Sequence, residues 1–268
     1  MTGYIDYITG TAADPDDCDI ELVSGQARSS GGEVALLFVH GLGHGAWCWD
    51  RWQALAVDRG VDSWALSCRG HGGSGGTVRG ATISAYVRDV RRTVEHLAPR
   101  PVVLVGHSLG GLVVQRLMAE GVSRNVRGAV LVSSIPSGPA FSSVFAVATR
   151  HPVQAMRFIA GLPMRLPKRL IFADASGHEG EMKRLQADSP LVQYQLLFHR
   201  RPAVTDKPVL VIGGADDRLV PLATQLRTAR RYGAETLVVD DAGHDVMLES
   251  SGDRALDEIL GWSERLPA

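Results

Sequence analysis

At 268 residues the chain is long enough to bury a substantial core, and we expect one large domain. Hydrophobic residues make up 45% and charged residues 21%, proportions that exclude a disordered or fibrous chain. The formal net charge is -1 and no long basic run occurs, so composition gives no reason to expect nucleic acid or a membrane as partner. The expected partner is a small molecule.

The N-terminus and the cysteines favour a cytoplasmic protein. Residues 1–10 contain no basic stretch followed by an apolar run, and nowhere do about 18 apolar residues follow one another, as a membrane span would need. Cys18, Cys48 and Cys68 are odd in number and widely spaced, without a CxxC pair. We therefore expect reduced thiols and no metal site, and the oligomeric state stays open.

Short apolar runs alternate with longer helical patterns along the chain. Continuous apolar character is what a strand covered on both faces requires, so the alternation predicts a mostly parallel sheet with helices on its faces. The first candidate strand, at 20–23, is expected to pair as an antiparallel hairpin with residues 34–39 across the glycine-rich turn 29–32. Further strands are predicted at residues 63–66, 102–105, 129–132, 209–212 and 236–239.

A helix is predicted at residues 82–97, between the runs at 63–66 and 102–105. Its charged residues face away from one apolar stripe, so we expect the helix to pack on the sheet. The stripe consists of Ile83, Tyr86, Val87, Val90, Val94 and Leu97.

The strand at 102–105 leads directly into the motif GHSLGG, residues 106–111, which opens an amphipathic helix. A serine between strand and helix in a GxSxG motif is typical of a nucleophile elbow, where a strained turn exposes the hydroxyl group. The flanking glycines are needed because a side chain there would collide with the adjoining strand or helix. The helix N-terminus offers unpaired N–H groups where an oxyanion develops. Ser108 is therefore predicted to be the nucleophile.

Residues 135–205 break the alternation of strands and helices. Prolines interrupt several short helical patterns there, and a structureless loop of this length is uncommon inside a compact domain. We interpret this segment as an inserted helical cap, and residues 1–134 and 206–268 as the core domain. Its large apolar residues are expected mostly to pack the cap onto the core, with some lining a pocket. They are Phe141, Phe145, Met156, Phe158, Met164 and Phe172.

Two strand ends near the C-terminus carry groups that could activate a serine. A serine hydroxyl is a weak nucleophile unless a base takes its proton and an acid orients that base. Asp216 and Asp217 follow the strand at 209–212, and His244 follows the strand at 236–239. Because open α/β sheets build their sites at the carboxyl ends of the strands, we expect His244 to be the base and one of the aspartates to be the acid.

The last predicted element is a helix at residues 253–266. Apolar residues recur in it at helical spacing, and Ser250 or Ser251 is available as the N-cap. This helix is expected to close the domain.

With two further loops, these motifs make the chain resemble the α/β-hydrolase superfamily over nearly its whole length apart from the cap. The family's oxyanion loop after the third strand is similar to HGLGHGAWCW, residues 40–49, and its next strand-end loop is similar to RGHGGS, residues 69–74. The resemblance implies an α/β-hydrolase fold: an eight-stranded, mostly parallel sheet flanked by helices, with the catalytic residues at the C-terminal ends of the strands.

The resemblance also implies roles for single residues. Ser108 matches the nucleophile and His244 the base, and the spacing to the following Val-Pro favours Asp217 over Asp216 as the acid. The oxyanion hole is matched by two backbone N–H groups, those of Leu42 and Leu109.

The implied reaction is two-step acyl transfer, in which the serine attacks a carbonyl group and water then releases the acyl group. Activity is expected to fall as His244 is protonated, below a pKa of about 6 to 7. No cofactor is implied.

The other histidines and the tryptophans of these loops are interpreted as structural. His40 and His44 are expected to be hydrogen-bonding props, His107 to pack beneath the site and His71 to brace its loop. One buried cluster under the oxyanion loop is expected from Trp47, Trp49 and Trp52.

The leading interpretation is cleavage of a small to medium, mostly apolar carboxylic ester or lactone. Ser108 excludes the haloalkane dehalogenase and epoxide hydrolase patterns, which carry aspartate at the elbow. The oxyanion loop also resembles that of hydroxynitrile lyases, but their pattern has lysine after the catalytic histidine, where this chain has Asp245. Thioester hydrolysis, C–C bond hydrolysis and acyl-transfer cyclisation are the alternatives, and a non-catalytic small-molecule binding protein is the rival from another class.

Overall fold

The computed structural model describes residues 4–10, 17–27, 34–160, 162 and 166–267. The strands are β1 (Tyr4–Ile8), β2 (Ile20–Gly25), β3 (Ala35–Val39), β4 (Ser63–Leu66), β5 (Val102–His107), β6 (Val126–Val132), β7 (Val209–Gly214) and β8 (Glu235–Val239). The α-helices are α1 (Asp50–Asp58), α2 (Ile83–Leu97), α3 (Leu109–Glu120), α4 (Phe141–Arg150), α5 (Pro152–Ile159), α6 (Lys168–Ile171), α7 (Glu179–Arg184), α8 (Pro190–Phe198), α9 (Leu222–Tyr232) and α10 (Asp253–Glu264). Short 3-10 helices lie at Ala46–Trp49, Val246–Leu248 and Ser250–Gly252.

The eight strands form one sheet in the order β1-β2-β4-β3-β5-β6-β7-β8. The pairs β1–β2 and β2–β4 are antiparallel, and every other neighbouring pair is parallel. This confirms the predicted eight-stranded, mostly parallel sheet with flanking helices.

The expected hairpin between β2 and β3 is wrong, because β4 lies between these two strands. Leu22 of β2 pairs with Leu66 of β4, and Leu36 of β3 pairs with Ser63 of β4. All five residues of β3 are buried, which requires a position inside the sheet, whereas buried and partly exposed residues alternate in β2. Alternation is what a strand covered on one face shows. The proposed turn at 29–32 lies outside the described residues.

The core consists of two apolar layers, one on each face of the sheet. Successive side chains of a strand point to opposite faces, so Leu37 and Val39 of β3 join the layer under α2 and α3. Leu36 and Phe38 join the layer under α1 and α10. The central strands are thus covered on both sides, as their continuous apolar character predicted.

The two long helices predicted from apolar spacing are present. Helix α2 begins after Thr82, whose hydroxyl oxygen accepts the backbone N–H of Ala85 at 3.1 Å. Helix α10 follows a 3-10 turn instead of a serine cap: its N-cap is Gly252, and the Ser251 hydroxyl donates to the Asp241 carbonyl at 2.9 Å. The predicted N-cap is therefore wrong. Across the described part of the chain, no helix combines the length and the apolar character that a membrane span requires.

The insertion between β6 and β7 contains the five helices α4 to α8. They are short, between 4 and 10 residues each, as the prolines of this segment indicated. The apolar residues Phe158, Val192 and Leu196 of this segment join the same layer as α2 and α3. The segment therefore packs on the side of the sheet that carries these two helices.

Candidate active site

Ser108 occupies the sharp turn between β5 and α3. Its backbone has φ 51° and ψ -114°, a strained conformation for a residue with a side chain. The turn is tight because a Cβ atom at Gly106 would lie 2.6 Å from the Gly110 carbonyl oxygen, and one at Gly110 would collide with the Val39 carbonyl. The glycines of the motif therefore allow α3 to approach both β5 and the end of β3.

The structure brings Ser108, His244 and Asp217 into one chain of hydrogen bonds. The distance from Ser108 Oγ to His244 Nε2 is 3.0 Å, and that from His244 Nδ1 to Asp217 Oδ2 is 2.9 Å. A carboxylate only accepts, so Nδ1 carries the proton and Nε2 is free to accept the serine proton. All three residues are buried.

Asp217 is held in place by groups from its own loop and from α9. The backbone N–H groups of Leu219 and Val220 donate to its Oδ1 at 2.9 and 2.8 Å, and Gln225 Nε2 donates to Oδ2 at 3.0 Å. The neighbouring Asp216 is exposed to solvent and takes no part in this network. Residue type alone does not say which of the two aspartates contacts His244, and the geometry shows that it is Asp217.

The charge of Asp217 controls the protonation of His244. Burial by itself lowers the pKa of His244, but the charge and hydrogen bond of Asp217, together with the charge of Asp245, outweigh burial and raise the pKa above its ordinary value. The imidazole is therefore a stronger base than a free histidine, which suits the removal of a proton from a hydroxyl group.

His40 holds the loop that follows β3. Its Nε2 accepts the backbone N–H of Cys68 at 2.9 Å, so the protonated Nδ1 donates to the Gly41 carbonyl at 2.8 Å. Burial, followed by the charge of His71, lowers the pKa of His40 to about 3, so the ring stays neutral. Because a trans peptide is planar, holding the Gly41 carbonyl aims the N–H of Leu42 to the opposite side. Among the described residues, no acceptor contacts the Leu42 N–H.

The next peptide of this loop is held by residues of the inserted segment. The Gly43 N–H donates to Asp188 Oδ2 at 3.0 Å, and the backbone N–H of Gln186 donates to the Gly43 carbonyl at 2.8 Å. Burial raises the pKa of Asp188, but the hydrogen bond and charge of His71 outweigh burial and lower it, so the carboxylate is ionised. His71 thus acts through Asp188 on this loop.

A second histidine–aspartate pair lies beside the first. His44 Nδ1 is 2.9 Å from the Leu42 carbonyl, and His44 Nε2 is 3.0 Å from Asp245 Oδ2. Both partners are acceptors, so each ring nitrogen of His44 faces an oxygen that can accept a hydrogen bond from it. Since Asp245 directly follows His244, this pair ties the loop of Leu42 to the loop of His244.

His107 packs beneath the site, as predicted, and remains neutral. Burial lowers the pKa of His107 well below its ordinary value, although the charge of Asp245 opposes this. Its Nε2 donates to the His244 carbonyl at 3.1 Å and lies 3.4 Å from Asp245 Oδ1. Ligand atoms of His107, His244 and Asp245 lie within 4.8 Å of one another, the distance range of a metal site. Ser108, Asp217 and His44 already occupy atoms of this group, so we assign it to the hydrogen-bond network.

Two of the three tryptophans are buried in the expected cluster, and the third packs at its edge. Trp49 and Trp52 are fully buried and pack on Phe38, with the Trp49 ring stacked at 4.7 Å. Trp47 packs against the same apolar layer but is partly exposed, and the guanidinium group of Arg184 lies 4.6 Å from its ring. The cluster is therefore present, but Trp47 is not buried in it.

A cavity with an internal volume of about 110 Å³ adjoins Ser108 and His244 and opens to solvent. A concave, mostly apolar cavity with a few polar groups suits a small organic molecule. Leu42, His44 and Asp245 lie in the wall on the core side. The inserted segment supplies a mostly apolar wall through Ser143, Val144, Val147, Ala155, Phe158 and Leu196.

The apolar residues singled out in this segment have different positions. Phe158 lines the cavity, and Phe172 is buried with its ring stacked on His178 at 3.7 Å. The others point into solvent or are not described: Phe141, Phe145 and Met156 are exposed, and Met164 lies outside the described residues.

Sequence reasoning missed four residues that hold the site. Asp245 was noted only as a departure from the lyase pattern, although its place beside His244 was a signal. Asp188, Gln186 and Ile171 belong to no motif. Ile171 accepts the backbone N–H of His244 at 2.6 Å, so the inserted segment contacts both the loop of Leu42 and the loop of His244.

Comparisons with known proteins agree with this architecture. The dihydrolipoyllysine-residue acetyltransferase component of the acetoin cleaving system of Cupriavidus necator is 30% identical over 248 residues, covering 85% of this chain and 63% of that protein. The chain thus spans less than two thirds of that relative. The monoacylglycerol lipase of Mycolicibacterium smegmatis is 28% identical over 225 residues, covering 76% of this chain and 78% of that protein.

A solved structure and a family model give the same result. The thermophilic esterase of Thermogutta terrifontis superposes with a TM-score of 0.74 at 21% identity, over 98% of both chains, which shows a shared fold. The sequence model of the alpha/beta hydrolase family matches residues 36–258, which contain β4 to β8, all of β3 except Ala35, and the candidate active-site residues. The chain therefore belongs to the alpha/beta hydrolase family of enzymes.

Proposed function

We propose that the protein is a serine hydrolase that cleaves a small to medium, mostly apolar carboxylic ester or lactone through an acyl-enzyme on Ser108. The observation that carries the proposal is the unbroken chain of hydrogen bonds from Ser108 through His244 to Asp217, at 3.0 and 2.9 Å, beside an apolar cavity. Nucleophile, base and orienting acid are thereby within reach of one another in the order that acyl transfer needs.

In the first step His244 Nε2 takes the Ser108 proton while Oγ bonds to the carbonyl carbon. The tetrahedral intermediate then collapses: the bond to the leaving oxygen breaks, and the proton on Nε2 passes to that oxygen. In the second step Nε2 takes a proton from water, whose oxygen bonds to the acyl carbon. The Ser108–acyl bond then breaks and Oγ regains the proton, so the enzyme returns to its starting state.

Two backbone N–H groups would hold the oxyanion of both intermediates, those of Leu42 and Leu109. Leu109 is the first residue of α3, where backbone N–H groups lack a partner within the helix. The Leu42 N–H has no acceptor among the described residues, and His40 fixes the peptide plane that carries it. Donors that are fixed before the reaction stabilise the developing charge without reorganising.

Residues 135–205 would act as the cap that selects the substrate. Val144, Val147, Phe158 and other apolar side chains of this segment wall the cavity opposite Ser108. Burial of an apolar acyl or alkyl group against this wall is favourable by roughly 25 cal/mol per Å². The lipase and esterase names of the relatives support an ester substrate for this chain.

A fluorophosphonate probe, which modifies activated serines covalently, tests the proposal. The wild-type protein should be labelled and should hydrolyse p-nitrophenyl esters, with a rate that first rises and then falls as the acyl chain outgrows the cavity. Ser108→Ala should abolish both activities.

Ser63→Ala is the matched control, because Ser63 is a buried serine of β4 that does not line the cavity, and its hydroxyl lacks a partner among the described residues. This variant should keep both labelling and hydrolysis. A wild-type protein that is folded yet neither labelled nor active on any ester of the series would contradict the proposal and favour a binding protein.

A further inference from the structure

Three helices of the inserted segment carry large apolar side chains on the side that faces solvent. Phe198 is 72% exposed, Phe145 70%, Val153 68%, Met156 64% and Phe141 57%. We call these five residues the outer apolar face. The rings of Phe141 and Phe198 lie 6.4 Å apart, and α5 contacts both α4 and α8, so the three helices form one continuous layer.

The same helices are apolar on their inner side as well. In α5, Ala155 and Phe158 line the cavity, and at 3.6 residues per turn Val153 and Met156 fall on the opposite side of the helix. Monomeric proteins rarely leave a large contiguous apolar patch in water, and such patches mark contact sites for proteins or membranes.

The stretches of sequence that carry the outer apolar face contain cations but no acidic residues. Residues 135–160 and 189–205, which include α4, α5 and α8, contain no aspartate and no glutamate. Their charged residues are Arg150, Arg157, Arg200 and Arg201. The acidic residues of the inserted segment lie between these stretches, at 174–188, where Glu179 pairs with Lys168.

Exposed arginines lie at the ends of these helices. Arg150 is the last residue of α4, and Arg200 and Arg201 come one and two residues after the C-cap of α8, so guanidinium groups flank the outer apolar face. Apolar side chains surrounded by cations are complementary to a lipid surface, in which anionic headgroups cover a hydrocarbon interior. A second copy of this chain would bring the same cations against each other, which opposes self-association through this face.

We propose that the outer apolar face docks the protein on an anionic lipid surface. Phe145, Phe198 and their neighbours enter the boundary between headgroups and acyl chains, while the flanking arginines contact the anionic headgroups. The apolar cavity then lies directly behind the docked helices. This docking goes beyond the proposed hydrolase activity and does not depend on it. It also modifies the expectation of no membrane partner, which was based on the net charge of the whole chain.

Sedimentation with lipid vesicles tests the proposal on the full-length protein. Wild type should bind vesicles of phosphatidylcholine mixed with phosphatidylglycerol, and binding should weaken as salt rises. The double variant Phe145→Ser, Phe198→Ser should bind at least about tenfold more weakly because it loses apolar insertion. Replacing Arg200 and Arg201 by glutamine should weaken binding about fivefold per arginine.

Matched controls lie on other faces of the molecule. Tyr4→Ser changes a 72% exposed aromatic residue of the edge strand β1, and Arg254→Gln changes an exposed arginine of α10. Both should bind vesicles like wild type. Circular dichroism should show all variants folded, because each change is at an exposed residue.

Three results would overturn the proposal. The first is a wild-type protein that stays in the supernatant with the mixed vesicles at low salt. The second is equal binding to pure phosphatidylcholine, which would remove the role of the arginines. The third is a concentration-dependent dimer, detected by analytical ultracentrifugation, that the phenylalanine variant abolishes. Labelling of Ser108 in the same samples reports on the hydrolase proposal separately, so either proposal can fail alone.

Discussion

Replacing Asp245 by asparagine tests the second histidine–aspartate pair without changing side-chain volume. The side chains of His44 and Asp245 are only 6% and 2% exposed, and their atoms are 3.0 Å apart. In the Asp245→Asn variant the amide can donate to Nε2 of a neutral His44, while the Leu42 carbonyl still accepts from Nδ1. The hydrogen bonds therefore survive and the charge attraction is lost.

The magnitude follows from the burial of the pair. Removing one partner of a buried ion pair costs about 3 to 5 kcal/mol. Because the amide keeps a hydrogen bond, we expect the low end, a loss of about 3 kcal/mol in the free energy of unfolding at neutral pH. For a chain of this size that corresponds to a decrease in Tm of roughly 6–12 °C.

The loss should depend on pH in a defined direction. Burial raises the pKa of Asp245, but the charge and hydrogen bond of His44 outweigh burial and hold it well below its ordinary value. A carboxyl group whose folded-state pKa is lowered contributes stability above its unfolded pKa of about 3.9, and this contribution is lost as pH falls through the folded-state value. The difference between wild type and variant should therefore be complete at neutral pH and shrink below about pH 4.

Urea unfolding followed by circular dichroism, repeated from neutral to acidic pH, measures this difference. Asp216→Asn is the matched control, because Asp216 is exposed and such changes stay within about 0.5 kcal/mol. If Asp245→Asn also stays within about 0.5 kcal/mol of wild type at neutral pH, the pair does not stabilise the fold and the reasoning is refuted.

Three further predictions concern the reacting groups and the elbow. The pKa of His244 is raised, and only the neutral ring accepts a proton. The acidic limb of the plot of kcat/KM against pH should therefore have its midpoint above about pH 6.5. A midpoint well below that pH would contradict the raised pKa. Asp217→Asn should lower kcat about ten-thousand-fold in steady-state assays, whereas Asp216→Asn should leave kcat near the wild-type value. If the two variants lowered kcat equally, the assignment of Asp217 as the acid would be refuted. Gly110→Ala places a Cβ against backbone carbonyl groups and should lower the free energy of unfolding by at least about 1–3 kcal/mol. Gly180→Ala is the control: a Cβ there has open space around it, so thermal unfolding should change little.

Much of the fold could be predicted because each feature is encoded locally. The buried strands β3, β5, β6 and β7 are continuous apolar runs, and α2 carries one apolar stripe, so their surroundings follow from composition and period. Strand β1 was missed because it is exposed at the sheet edge, where packing selects few side chains. The β2–β3 hairpin was wrong because proximity in sequence does not decide which strand occupies the neighbouring position in a sheet.

The residue types at the ends of the strands can be identified from the amino-acid sequence: the elbow around Ser108, the two aspartates after β7 and the histidine after β8. These are local motifs, and the turn they require is set by steric limits on a few residues. The spacing to Val-Pro favoured Asp217 over Asp216, and the folded chain shows the contact of Asp217 with His244. That Asp188 holds Gly43 across 145 positions of the chain is visible only in the tertiary structure. A contact between distant residues depends on how the sheet and the inserted helices pack together, and no local pattern specifies that packing.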